Sequence, residues 1–117
     1  MVNEYVPDRG DVIWLSFEKG YGHEQRGRRP ALVLSPYSYN RTVGLAVVCP
    51  IISVFKGYFF AVEIHGNKVH GSVLADRVQS VAWKGRKAQF IEVAPGSVLT
   101  EVTKRLGTLL GIRPPFI

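Results

Sequence analysis

Gly20-Tyr21-Gly22-His23-Glu24-Gln25-Arg26-Gly27-Arg28-Arg29-Pro30 passes without a linker into Ala31-Leu32-Val33-Leu34-Ser35. The first eleven residues hold three glycines, a proline, a carboxylate, an imidazole, an amide and three guanidinium groups. Buried, their backbone and charged groups would go unsatisfied. The segment is therefore a polar surface loop, and the apolar run behind it is a strand that fixes the last arginines. Loops carried on a rigid sheet are where binding and catalysis concentrate.

Upstream, Met1 to Pro7 is a lead-in, Asp8-Arg9-Gly10-Asp11 a turn, and Val12 to Phe17 a β-branched and aromatic strand. Downstream, Pro36 to Gly44 reads as a turn-rich connection with Asn40 and Gly44 as turn formers. Leu45 to Cys49 is a third strand, ended by Pro50, and Ile51 to Val54 stays extended until Lys56-Gly57 turns the chain. Tyr58 to Ile64 alternates as a fourth strand, and His65 to Lys68 is a hairpin turn. Gly71 to Leu74 and Arg77 to Trp83 read as one long strand bent around Ala75-Asp76. Lys84 to Lys87 is a basic turn before a last strand, Ala88 to Val93.

After Ala94 the period changes. Val98, Val102, Leu106, Leu109 and Leu110 recur at helical spacing, with Pro95 suited to a first turn, Gly111 to a stop, and Pro114-Pro115 barring resumption. The order predicts a mainly β chain with a C-terminal helix: a small, strongly bent barrel with the helix packed on it. At 117 residues, 46% hydrophobic and 21% charged, the chain is one domain spanning residues 1–117 with a real core.

A net charge of +6 favours a polyanionic partner, whether RNA, DNA or an acidic protein segment. Cys49 is the one cysteine, which excludes an intramolecular disulfide and a cysteine zinc site. Within Leu45-Ala46-Val47-Val48-Cys49 it reads as a small buried hydrophobe. Asn3 and Glu4 interrupt any leader-like apolar region, and no apolar run approaches the roughly 18 residues of a membrane span. The expectation is a soluble, cytoplasmic protein.

His23, His65 and His70 are far apart, and the carboxylates do not cluster, so no metal is expected. Neither a phosphate-binding G-x-x-x-x-G-K-[ST] loop nor a G-x-S-x-G elbow is present. Phosphodiester chemistry without metal or cofactor needs only a proton acceptor, a cation for the phosphorane and help for the leaving oxygen. RNA supplies its own nucleophile, the 2′-hydroxyl. Arg29 is the candidate cation, its planar fork matching phosphate oxygens. Glu24 is a candidate base, or a group orienting Arg29. Arg28 and His23 are candidate phosphate or base contacts. Asp76 interrupts an apolar strand, as a bulge or site residue does, and Ser53 offers a hydroxyl beside the extended segment. Base-edge contacts would come from loop residues such as Gln25, Asn40 and Lys56, with Phe17 at the end of the first strand among the RNA-binding candidates.

The chain resembles the MazF/PemK family of toxin endoribonucleases. The resemblance rests on Tyr5-Val6-Pro7-Asp8, Gly10-Asp11 with Ile13-Trp14, His23-Glu24-Gln25, Gly27 with Arg29-Pro30-Ala31, and Val33-Leu34-Ser35-Pro36. It continues through Tyr39-Asn40, Lys56-Gly57-Tyr58, Val73-Leu74-Ala75-Asp76 and Ala82-Trp83, covering residues 5 to 112. It implies an SH3-like barrel, a homodimer, and metal-independent cleavage of single-stranded RNA at a short sequence, leaving a 2′,3′-cyclic phosphate and a 5′-hydroxyl. It also implies a MazE-like antitoxin whose acidic C-terminal tail lies over the RNA site. In the family the arginine matching Arg29 and a threonine two residues past the proline matching Pro50 carry catalysis, and Glu24 falls on a position linked to activity.

Two positions depart from that pattern. Ile52 stands at the threonine position, and Arg28 stands where the MazF branch has histidine. Isoleucine neither hydrogen-bonds a phosphate nor relays a proton. The expectation is that Ser53 and Arg28 take over, which for Ser53 requires a break in strand alternation, since adjacent strand residues face opposite sides. Two alternatives stay open: a catalytically attenuated RNA-binding homologue, and a gyrase poison of the CcdB type. The latter depends on an aromatic near the end of the C-terminal helix, where this chain has Leu109-Leu110-Gly111-Ile112.

Overall fold

The computed structural model describes residues 4–17 and 27–112. Its elements follow in the order β1 (Asp11–Phe17), β2 (Gly27–Val33), α1 (Tyr37–Val43), β3 (Ala46–Ile52), β4 (Ala61–His65), β5 (His70–Leu74), β6 (Gln79–Val81), β7 (Gln89–Val93) and α2 (Gly96–Leu110). The strands hydrogen-bond in the order β4-β5-β3-β2-β1-β7, and β6 joins β3 beside this path. Every pairing is antiparallel. The result is a mainly β, strongly bent half-barrel with a C-terminal helix, the architecture expected.

Alternation along the central strands buries both faces. Val12, Leu32, Cys49 and Ile51 pack into one core with Ile64, Val73 and the α2 residues Val98 and Val102. Their neighbours Ile13, Leu15, Ala31, Val33 and Val48 point the other way, against Val81 and Trp83. Strands sandwiched in this manner read as continuous apolar runs rather than as alternating ones. Cys49 is fully buried, and burial first, with the Asp76 charge second, pushes its thiol up to about 12, so it packs as an inert hydrophobe. The α2 helix ends as its sequence predicts, with Gly111 in the left-handed region at φ 76°.

Four sequence expectations are corrected. Pro36 to Gly44 is not merely a turn but contains α1, closed by Gly44 at φ 83°. No residue of its own caps it. The Asp8 carboxylate, 29 residues upstream, accepts from the Tyr37 N–H at 2.9 Å, so the capping group is remote in sequence. Asn40 completes the anchor. Its Nδ2 donates to the carbonyls of Pro7 (2.8 Å) and Ser35 (3.0 Å), its Oδ1 accepts from Ser35 Oγ (2.6 Å), and its carbonyl accepts from the Trp83 indole (2.9 Å).

Second, Pro50 does not end the third strand. β3 runs through it to Ile52, because there the strand changes partner, from β2 (Ala31↔Pro50) to β5 (Ile51↔Val73, Ile52↔Ser72). A missing N–H is tolerated at such a handover. Third, residues 71–83 form two strands, not one bent strand. β5 pairs with the end of β3, and β6 with its beginning (Ala46↔Val81). Fourth, β2 starts at Gly27 and so takes both Arg28 and Arg29 out of the loop and into the sheet.

Candidate active site

The handover at Pro50 creates the site. In the sheet register Arg28 and Arg29 lie opposite β1 (Ser16↔Arg28, Leu15↔Arg29), while Ile51 and Ile52 have turned away to β5. Carried two residues past Ala31↔Pro50, the β2–β3 register sets Arg29 opposite Ile52. Between the splayed strands lies an open groove of about 720 Å³ lined by Arg29, Pro30, Ile51, Ile52, Ser53, Val54, Phe55 and His70. Glycine makes the close approach possible. A Cβ at Gly71 would sit 2.2 Å from the Ile52 carbonyl oxygen, so only glycine lets β5 rise beneath the end of β3.

Ser53 shares this groove with Arg29. β3 ends at Ile52 and the chain bends at Ser53, so strict alternation lapses at the Ser53 hydroxyl. Ile52 and Ser53 therefore border one cavity, with Ser53 exposed. Arg29 is half-buried, its stem held by the strand it occupies.

The two arginines part company. Adjacent on β2, they face opposite sides, and Arg28 lines a separate hollow with Ser16, Lys87, Ala88 and Gln89. There it donates to Ser16 Oγ at 2.7 Å and Gln89 Oε1 at 3.1 Å. The expectation that Arg28 stands in for a groove histidine is thus corrected by strand alternation. Asn40 is also corrected as a base-reading residue: it is fully buried and its amide is engaged by the bonds described above. His23, Glu24 and Gln25 lie outside the described residues, and Phe17 is described only as the backbone end of β1, opposite Gly27.

Lys56 and Asp76 are not among the residues that line this groove. Lys56 Nζ meets Glu63 Oε2 at 2.8 Å in an exposed pair, which with His65 holds the Glu63 carboxyl below its ordinary value. Asp76 sits in the turn after β5 and accepts from the Tyr58 hydroxyl through Oδ2. That bond, more than burial, raises the Tyr58 hydroxyl above its ordinary value. Asp76 thereby ties the β3–β4 loop to the sheet. The loop carries Phe55 and Tyr58, stacked at 5.3 Å between ring centroids, and exposed Phe59 under the Arg105 guanidinium at 5.0 Å.

Two groove residues had no role in the sequence reading. Phe55 fell unassigned between the extended Ile51 to Val54 and the Lys56-Gly57 turn, and His70 counted only as one of three scattered histidines. The single local cue for His70 is Gly71 beside it, a glycine at the head of the buried run Ser72-Val73-Leu74-Ala75.

A model of PemK-like, MazF-like toxins of type II toxin–antitoxin systems matches residues 8–110. The endoribonuclease toxin MazF of Escherichia coli K12 is 40% identical over 111 residues, covering 95% of this chain and 100% of that protein. The endoribonuclease PemK of Escherichia coli is 34% identical over 110 residues, covering 88% of this chain and 81% of its own. A MazE–MazF crystal structure from Deinococcus radiodurans superposes with a TM-score of 0.86 at 50% identity, covering 94% of this chain and 100% of that one. This chain belongs to the family of PemK-like, MazF-like toxins of type II toxin–antitoxin systems.

Proposed function

We propose that this chain is a toxin endoribonuclease that cuts single-stranded RNA at a short sequence, without metal or cofactor, through attack of the 2′-hydroxyl on the adjacent phosphate. The observation that carries the reading is the sharing of one groove by Arg29 and Ser53 where β2 and β3 separate. In the reaction the O2′–phosphorus bond forms and the phosphorus–O5′ bond breaks, giving a 2′,3′-cyclic phosphate and a 5′-hydroxyl. Arg29 holds the charge that develops on the phosphorane. Ser53 donates a hydrogen bond to a non-bridging oxygen in place of the missing threonine hydroxyl. Glu24, three residues before β2 in the sequence, orients Arg29 or shares in proton transfer.

RNA enters as an unpaired strand, its phosphates drawn by a net charge of +6 and its bases offered the exposed rings of Phe55 and Tyr58. His23, Gln25, Lys56, Asp76 and Phe17 are the proposed contacts around the cut, and Arg28 meets phosphates outside the groove. The Deinococcus relative was solved as a MazE–MazF complex, which supports a MazE-like antitoxin with an acidic tail as partner; a homodimer is the proposed assembly. None of the described helices is long and apolar enough to cross a membrane, which agrees with action on cytoplasmic mRNA.

Incubating the purified protein with long RNA in EDTA and mapping every new 5′ end tests this. Ends that share a short sequence and carry 5′-hydroxyls are expected. One observation favours a second reading, an attenuated RNA-binding homologue: Ile52 lines the groove where the family pattern has threonine. That reading predicts salt-sensitive RNA binding with no new ends.

A further inference from the structure

We propose that His70 is a further catalytic residue of the groove, taking the proton from the attacking 2′-hydroxyl; this rests on the endoribonuclease reading. Attack requires a group that accepts this proton. Among the described groove-lining residues, Pro30, Ile51, Ile52, Val54 and Phe55 have no basic side chain. A guanidinium does not give up its proton to become a base, and a serine hydroxyl is itself a very weak one. His70 brings an imidazole, whose unprotonated ring nitrogen is a proton acceptor.

The fold sets it there. The β3–β5 register, Ile52↔Ser72, carried two residues further places His70 opposite Val54, at the mouth of the groove. The Gly71 contact with the Ile52 carbonyl locks that offset. The turn leading into His70 is clamped from β7, because the Glu92 carboxylate accepts from the N–H groups of Asn67 (2.9 Å), Lys68 (3.0 Å) and Val69 (2.8 Å). A Cβ at Gly66 would lie 2.5 Å from Glu92 Oε2, so the clamp also demands glycine there. His70 is exposed, as a group that must meet substrate has to be.

Its charged and aromatic surroundings come from four strands and the turn before β5. Arg29 of β2 lines the same groove. On β4, His65 lies with its ring 6.1 Å away and bonded to Glu63 at 3.1 Å. Lys68 precedes it, and with Trp14 of β1 and Phe90 of β7 it borders a second hollow of about 410 Å³ that joins the groove at Pro30 and His70. In the step, an unprotonated imidazole nitrogen takes the 2′-hydroxyl proton as the O2′–phosphorus bond forms. The departing O5′ takes a proton from water, and the hydroxide so made removes the proton from the imidazolium. Atoms and charge balance, and Arg29 holds the phosphorane meanwhile.

The test is the pH profile of single-turnover cleavage between pH 5 and 8 for the wild type, His70→Ala, His70→Gln and Glu24→Gln, with RNA binding measured on a 2′-deoxy substrate. Both His70 variants are expected to lose about 10²–10⁴-fold in rate with binding unchanged. They should also lose the rising limb that the wild type and Glu24→Gln retain, and added imidazole should restore rate to His70→Ala. His70→Gln cleaving at the wild-type rate, or a limb that vanishes in Glu24→Gln and persists in His70→Ala, overturns the proposal. A wild type that cuts nothing instead overturns the endoribonuclease reading beneath it.

Discussion

The departure at Ile52 yields a sharp test, because the structure places a different hydroxyl in the same groove. If Ser53 serves the phosphorane, Ser53→Ala removes one hydrogen bond to a charged oxygen. Such a bond is worth about 1.5–3 kcal/mol, and at about 1.4 kcal/mol per decade of rate the loss is roughly 10–150-fold. The fold should not suffer, since Ser53 is exposed and follows the last residue of β3. Ile52→Thr adds a second hydroxyl at a half-buried position that stays β-branched, costing roughly 1 kcal/mol of stability through lost methyl packing. With Ser53 already in place, its rate gain should stay below about tenfold. Single-turnover cleavage of a short fluorescent RNA measures both. A gain of about 100-fold or more in Ile52→Thr, with Ser53→Ala indistinguishable from the wild type, would refute the substitution of one hydroxyl for the other.

Other residues separate chemistry from stability. Arg29→Ala should lose about 10²–10³-fold in rate, the usual cost of removing a charge-stabilising donor, while its melting temperature stays near that of the wild type. Asn40→Ala should do the reverse. It takes the Asn40 donor from the Pro7 and Ser35 carbonyls and the acceptor from the Ser35 hydroxyl in the interior, costing about 3 kcal/mol and lowering Tm by roughly 10 °C, with cleavage per folded molecule preserved. For Glu92, burial raises the carboxyl but the three backbone donors outweigh it and hold it below its ordinary 4.5. Its stabilisation is therefore full above that value and lost as pH falls through the lower folded value. Between pH 6 and pH 3, Glu92→Gln should lose less Tm than the wild type does; an equal loss would contradict the clamp.

Arg29 was legible because its signal is local: a cation at a proline-marked loop-to-strand junction. The strands and α2 were legible because their apolar periods survive in the one-dimensional pattern. What escaped depends on pairing across the sheet. A helix capped by Asp8 from 29 residues away has no N-cap signature of its own. Pro50 reads as a stop, since nothing in sequence says that β3 is changing partners there. The same handover opens the groove, so the site's shape was hidden with it. Arg28 was grouped with Arg29 by adjacency, whereas strand geometry sends the two to opposite faces. His70 needed the β5 return to meet residues 15 to 41 positions before it in the chain.

The central claim is that RNA supplies the nucleophile, the 2′-hydroxyl, and that this groove activates and stabilises its attack. It is tested most directly by one atom of the substrate. Once a cut site is mapped, an RNA carrying a single 2′-deoxy nucleotide immediately 5′ to the scissile phosphate is incubated with the protein in EDTA. The mechanism predicts wild-type binding with no cleavage, while the unmodified RNA yields a 2′,3′-cyclic phosphate and a 5′-hydroxyl. Cleavage of the 2′-deoxy RNA would contradict it, and would make water the nucleophile.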